Sequence, residues 1–293
     1  MEANYKHFVI TLFNLSLWKK DKQNQPTRTD KYLKKRFELF EFYCLPSLKH
    51  QSCKDFIWLC LFDTNTPLIY KEKIEHYKQI CPQFNPCFLT KEETQKLFTA
   101  DQETQSPLIS YIKPHIDEKT EYILTTNLDN DDVFLCDAIR CIQQKFSECK
   151  VQGIYSMNIG LQYFPRYNAI LKMKYPHNHF LTLAENVQNK IYTIERYPHT
   201  IARKKFQVID IFENPYWIEV VHDCNVNNDL RITSRIQYSF IWEPFSLKDK
   251  GIEIEINSPT SAYLQMIPYF FRIAIWRLKR KWQKFKNKKQ ETV

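Results

Sequence analysis

The stretch richest in chemistry is EYILTTNLDNDDVF, residues 121 to 134 of a 293-residue chain. Asn127, Asp129, Asn130, Asp131 and Asp132 fall within six positions, directly behind the apolar Ile123 and Leu124. Three carboxylates so close repel one another unless something positive lies between them. Mg²⁺ and Mn²⁺ favour such oxygen ligands and commonly keep water or substrate phosphate in their remaining positions. An Asp-x-Asp pair at a strand end could then divide the work, one carboxylate on a ribose hydroxyl and the other on the cation. The alternative is a solvated turn, since Asn and Asp favour turns. An EF-hand is excluded: counted from Asp129, the sixth position is Phe134, not Gly, and the twelfth is Arg140, not Glu.

The elements that would hold this stretch are legible as apolar runs. HFVITLF (7–13), DFIWLCLFD (55–63) and YILTTN (122–127) read as buried strands. Helical spacing runs through KYLKKRFELFEFYCLPSL (31–48), TPLIYKEKIEHYKQI (66–80) and VFLCDAIRCIQQKFSE (133–148). Thr66 is the expected N-cap of the second helix, with Pro67 at its first position. Strands alternating with helices predict an α/β fold with a parallel sheet. Ligands bind at the carboxyl ends of strands in such sheets, where the acidic stretch lies. Later segments, GIYSMNIGLQYF, NAILKMKYP and NPYWIEVVHD, predict further strands, the first two of them antiparallel.

Composition removes several function classes. Three glycines leave no GxGxxG and no Walker-type loop, so a nucleotide must be held in another way. Nine cysteines, none spaced as CxxC, read as small buried hydrophobes in a reducing compartment rather than as zinc ligands. No signal sequence and no bilayer-spanning run is apparent, which predicts a cytoplasmic protein. Of 42 basic and 33 acidic side chains, nine and one lie from Pro268 to Val293, leaving 33 and 32 in the rest. The body is therefore near neutral, and no nucleic-acid binding is expected of it. Nucleic-acid binding through the basic tail is the least favoured reading.

In order, FVITLFN, RFELFEFYCLPSLKHQS, FIWLCLFDTNTP, TTNLDNDDVF and NPYWIEVVHDCNVNND resemble the putative rhamnosyltransferase family, from about His7 to Asp229. The resemblance implies a GT-A-type nucleotide-sugar-binding fold with a mixed, mostly parallel central sheet. It implies transfer of a sugar, rhamnose among the candidates, from a nucleotide diphosphate donor to a glycan or lipid-linked glycan during surface polysaccharide assembly. Mn²⁺ or Mg²⁺ is the implied cofactor. Asp129 would contact the ribose, Asp131 would ligate the metal, Asp132 would ligate through water or orient the loop, and His222 would complete the metal shell. Asn127 stands where the family usually has Arg, and Leu12 where Arg often precedes Phe-Asn. A catalytically silent sugar-nucleotide or glycan-binding protein is the rival reading.

Other candidates follow from position. Asn14 and Asp63 each follow a predicted strand; Asn14 and Arg36 are candidates for nucleobase or phosphate contact, and Asp63 for the nucleobase. Arg36 could equally be a solvated helix charge, and His222 an ordinary strand-end histidine. Asn225, Asn227 and Asn228 could bond phosphate or sugar hydroxyls, or form a turn. An inverting transfer needs a carboxylate to take the acceptor proton. Glu185, in FLTLAEN, is the candidate base, its alternative being a surface Glu at a helix start.

The expected division is a catalytic domain over 1–245 and a C-terminal extension over 246–293. In the extension, Leu264, Ile267, Phe271, Ile275, Leu278, Trp282 and Phe285 recur at three- and four-residue steps, amid Arg277, Lys279, Arg280, Lys281, Lys284 and Lys286. That predicts a basic amphipathic helix. Residues 264–289 could lie on an anionic membrane surface at the inner face of the cell membrane, dock on the protein's own core, or bind a partner helix.

Overall fold

A computed structural model describes residues 4–15, 17, 19–21, 23–98, 105–223, 225, 230 and 236–290. The chain runs through β1 (Tyr5–Leu12), α1 (Asp30–Leu39), α2 (Leu45–Lys49), β2 (Ile57–Asp63), α3 (Leu68–Ile80), β3 (Phe84–Leu89), α4 (Lys91–Leu97), α5 (Ile109–Ile112) and β4 (Tyr122–Asn127). There follow β5 (Val133–Phe134), α6 (Ala138–Cys149), β6 (Gly153–Met157), β7 (Ile159–Phe164), β8 (Ala169–Lys174), β9 (Leu181–Asn186), α7 (His199–Lys205), β10 (Val208–Ile211) and β11 (Trp217–Val220). The last elements are β12 (Gln237–Phe240), β13 (Phe245–Ser246), β14 (Glu255–Ile256) and α8 (Pro259–Gln290).

The apolar runs become the centre of a seven-stranded mixed sheet ordered β10-β6-β9-β4-β1-β2-β3. β4, β1, β2 and β3 are parallel neighbours, and β9 runs against both β4 and β6. The runs are continuous rather than alternating because both faces are covered: Val9, Trp58 and Leu124 pack on one side, Phe8, Leu59 and Ile123 on the other. Each large side chain so buried contributes roughly 1.5–3 kcal/mol. β3 contains Pro86, which cannot donate to a ladder, and it lies at the sheet's edge. A second sheet, β12-β8-β7-β11-β5, includes the expected antiparallel pair β7–β8. Gly160 is required there: a Cβ would sit 2.2 Å from the Trp217 ring.

Several local expectations shift. The helix expected over 31–48 is α1, capped by Thr29 Oγ1 accepting from Tyr32 N, then a π-turn over Phe40–Cys44, then α2. The helix expected from 133 starts at Ala138, because Val133 and Phe134 pair with β11 instead. Thr66 is not the cap of α3. Pro67 holds that position in extended conformation, while Thr66 Oγ1 donates to Asp63 O (2.6 Å) and accepts from Asn14 Nδ2 (3.0 Å). Beyond residue 245 the chain stays on the body: Leu247, Ile252, Ile254 and Ile256 pack with Leu161, Ile218 and Val220.

Candidate active site

Parallel pairing puts the carboxyl ends of β1, β2 and β4 at one edge, and the loops leaving them line a cavity of about 830 Å³. Asn14, after β1, binds two of these loops together: its Oδ1 accepts from Asp63 N (3.0 Å) and its Nδ2 donates to Thr66 Oγ1. Asp63 Oδ1 in turn accepts from Asn65 N (2.7 Å). Both Asn14 and Asp63 line the cavity, as does Arg36 from α1.

The acidic loop after β4 divides its carboxylates between two histidines. Asp131 Oδ2 accepts from Arg36 Nη1 (2.7 Å), His222 Nε2 (2.7 Å) and Asn225 Nδ2 (3.0 Å). Burial opposes its charge, yet Arg36 and His222 hold it well below the ordinary carboxylate range. Asp132 is fully buried and turned elsewhere: its Oδ1 accepts from Val220 N (2.8 Å), and its Oδ2 lies 3.2 Å from His179 Nε2. His179 Nε2 is also 3.7 Å from Asp129. Burial works against a charge on His179, but its bond to Asp132 and the charges of Asp129 and Asp132 raise it to about 9. Asn130 Nδ2 donates to Phe13 O (3.0 Å), tying the loop to β1.

The expected metal set, Asp131, Asp132 and His222, is thus not one group. Asp131 and His222 do meet, but Arg36 already sits on the carboxylate they share. Among the described residues, the three groups whose ligand atoms all lie within 4.8 Å of one another are Asp129, Asp132 and His179. Asp129 and His179 line the cavity, with Asp132 buried behind them, and two carboxylates and an imidazole suit Mg²⁺ or Mn²⁺ completed by phosphate oxygens. His179 precedes the apolar FLTLAEN run, and its only sequence signal is that position beside a strand.

Asn225 lines the cavity, where its Nδ2 donates to Asp131 Oδ2 and its Oδ1 accepts from His222 N (2.6 Å). Asn227 and Asn228 lie outside the described residues. Leu12 and Asn127 both line the cavity, and Asn127 donates to His179 O (3.2 Å).

Glu185 corrects the sequence reading. It lies in β9, whose antiparallel course pairs it with Ile123 and points the chain away from the acidic edge. It is not among the cavity-lining residues. Its two oxygens accept from Tyr192 N (2.8 Å) and Thr193 N (3.0 Å), and burial, outweighing those bonds, raises its carboxyl to about 7. The turn it braces carries the carboxylate that does reach the cavity, Glu195. Ile194 N, next to it, is fixed on Thr125 Oγ1 (3.0 Å). Glu195 Oε1 is shut from solvent and has no hydrogen-bond partner among the described residues. Burial, with Asp129's charge adding, lifts its carboxyl to about 8.

Among solved structures, S. aureus TarS 1–349 in complex with UDP-GlcNAc is similar at 12% identity, covering 75% of this chain and 60% of that one, with a TM-score of 0.40. A Desulfovibrio desulfuricans G20 protein described as a putative nucleotide-diphospho-sugar transferase is similar at 8% identity, covering 76% and 83%, TM-score 0.35. Mouse xyloside xylosyltransferase 1, apo form, follows at 12%, covering 53% and 52%, TM-score 0.27. The chain spans 60% of the length of the TarS fragment, and likenesses this distant assign no role to any residue. No curated protein sequence matches. A family model described as "Putative rhamnosyl transferase" matches residues 22–234, which is most of the chain. The chain belongs to this family of glycosyltransferases.

Proposed function

We propose that the protein moves a sugar, rhamnose being the candidate its family name offers, from a nucleotide diphosphate to a hydroxyl of a glycan or lipid-linked glycan in surface polysaccharide synthesis. The observation that carries this reading is the convergence in one strand-end cavity of Asp129, Asp131, His179, Arg36 and Glu195. Loops after β1 and β2, with Asn14 and Asp63, offer the nucleoside end of the cavity polar partners. The acidic loop faces the diphosphate, with Arg36 paired to Asp131 beside it.

Asp129, Asp132 and, once its proton is displaced, His179 would hold a divalent cation, whose contribution when bound is to offset charge developing on the departing diphosphate. Asp131, matched by Arg36, orients His222 and Asn225. Glu195 takes the acceptor proton as the hydroxyl oxygen forms its bond to the anomeric carbon. The bond from that carbon to the phosphate oxygen breaks, and its electron pair leaves with the nucleotide. A carboxyl raised toward 8 is a stronger base than an ordinary glutamate, and a positioned base contributes roughly 10²–10⁴-fold. Glu185 keeps Glu195 in place through the 192–193 turn.

The test is release of nucleoside diphosphate from a panel of nucleotide sugars, with Mn²⁺ and with chelator. Turnover of one donor that chelator removes supports the proposal. Binding without turnover in the presence of acceptor glycans favours the silent sugar-nucleotide-binding reading. His179→Gln should weaken Mn²⁺ binding measured by calorimetry, and His222→Gln should weaken it less; the reverse order would move the cation to Asp131 and His222.

A further inference from the structure

We infer that α8 lies along an anionic lipid surface through a face the protein does not use. The helix has two apolar faces. On one, Ala262, Tyr263, Met266 and Tyr269 are buried in a cluster with Phe164, Leu171 and Val221. Tyr263 Oη donates to Ile170 O (2.7 Å) and accepts from Ile241 N (2.9 Å), and Tyr269 Oη accepts from Leu230 N (3.1 Å), so this face is locked to the body. About half a turn away, Leu264, Ile267, Phe271, Ile275 and Leu278 step by three and four residues and stand 61, 42, 65, 51 and 68% exposed. The docked-helix reading of the sequence therefore accounts for a different set of side chains and leaves the predicted stripe uncovered from Leu264 to Leu278; the side chains of Trp282 and Phe285 lie outside the described residues. A row of five large apolar groups is more than the scattered exposure ordinary surfaces carry.

Charge selects the occupant. Arg272 and Lys279 are exposed and, by helical position, flank the stripe. The sequence from Pro268 to Val293 holds nine Lys or Arg against one Glu. A second copy of this helix would bring like charges together, whereas an anionic leaflet matches both the cations and the flat apolar row. Trp242, 60% exposed, packs its ring 5.3 Å from Tyr263 and adds an aromatic group of the kind that sits at headgroup depth. Among the described residues no helix is long and apolar enough to cross a membrane, so the helix lies on the surface rather than spanning it. Val221, in the docked cluster, adjoins His222, which bonds the cavity-lining Asp131, and this would hold the cavity close to a lipid-linked acceptor. That consequence rests on the proposed transfer; the lipid contact does not.

The experiment is flotation of the full-length protein with vesicles of phosphatidylcholine alone or mixed with phosphatidylglycerol. It should float with the anionic vesicles, much less with the neutral ones, and release as salt is raised. Phe271→Ser with Leu278→Ser, both at exposed positions, should keep the melting temperature and lower the bound fraction at least tenfold. Arg272→Gln and Lys279→Gln should each weaken binding roughly fivefold. Failure to float, equal flotation with neutral vesicles, or undiminished binding by the serine variant would overturn the inference. So would a lipid-free dimer, seen by sedimentation, that the serine substitutions dissolve, since the stripe would then be a contact between two copies.

Discussion

The acidic loop at residues 129–132 and the segment from Glu185 to Glu195 both carry carboxylates with little access to water, and they handle them in opposite ways. In the loop, Asp131 and Asp132 are each met by a histidine, with Arg36 or a backbone N–H added. In the later segment Glu185 is fully occupied by backbone donors, and Glu195 is left with an oxygen that nothing among the described residues satisfies. A carboxylate already held is a structural, orienting or cation-holding group. One held close to a cavity and left unsatisfied is poised to accept a proton.

The comparison breaks most readily at its two glutamates. Glu195→Gln should lower sugar transfer roughly 10²–10⁴-fold with donor affinity nearly unchanged. Glu185→Gln should leave turnover within a few-fold. Equal losses in both would mean that the two act as one structural unit and that the base lies elsewhere.

Next in size is the buried pair. Arg36→Met strands Asp131, and removing one partner of a buried ion pair costs roughly 3–5 kcal/mol. Denaturant unfolding measures it. A loss below about 1 kcal/mol would show that His222 and Asn225 suffice, and that Arg36 is free to face the diphosphate.

The smallest effect sharpens the reading of Glu185. Its folded-state pKa, about 7, exceeds the ordinary 4.5, so its protonated form favours the fold. That contribution is full below the unfolded value and is lost as pH rises through about 7. Against Glu185→Gln, wild-type stability should therefore fall by about 3 kcal/mol between roughly pH 4 and 8. Parallel curves would mean that Glu185 stays ionised throughout.

Much of the frame could be read from the chain. HFVITLF, DFIWLCLFD and YILTTN are strands because both faces of the sheet are covered, and a continuous apolar run signals that cover directly. Strand-end logic then placed Asn14, Asp63 and the acidic loop at one edge. What it could not supply was direction in the second half. FLTLAEN reads the same whether β9 runs with β4 or against it, and the antiparallel course takes Glu185 from the cavity. Nor does spacing reveal that Asp131 and Asp132, adjacent in sequence, turn to histidines more than forty residues apart, His222 and His179. The stripe on α8 was legible, but not which of its two apolar faces the body would take.

The central claim is that this cavity binds a nucleotide sugar with a divalent cation. Thermal unfolding with a panel of nucleotide sugars, each with and without Mn²⁺, tests it most directly. A ligand at a hundred times its dissociation constant stabilises the fold by about 2.7 kcal/mol, or roughly 5–10 °C for a chain near this size. The account predicts such a rise for at least one donor with Mn²⁺, and little of it in Asp129→Asn. No donor raising the transition in wild type, or an equal rise in Asp129→Asn, would contradict it.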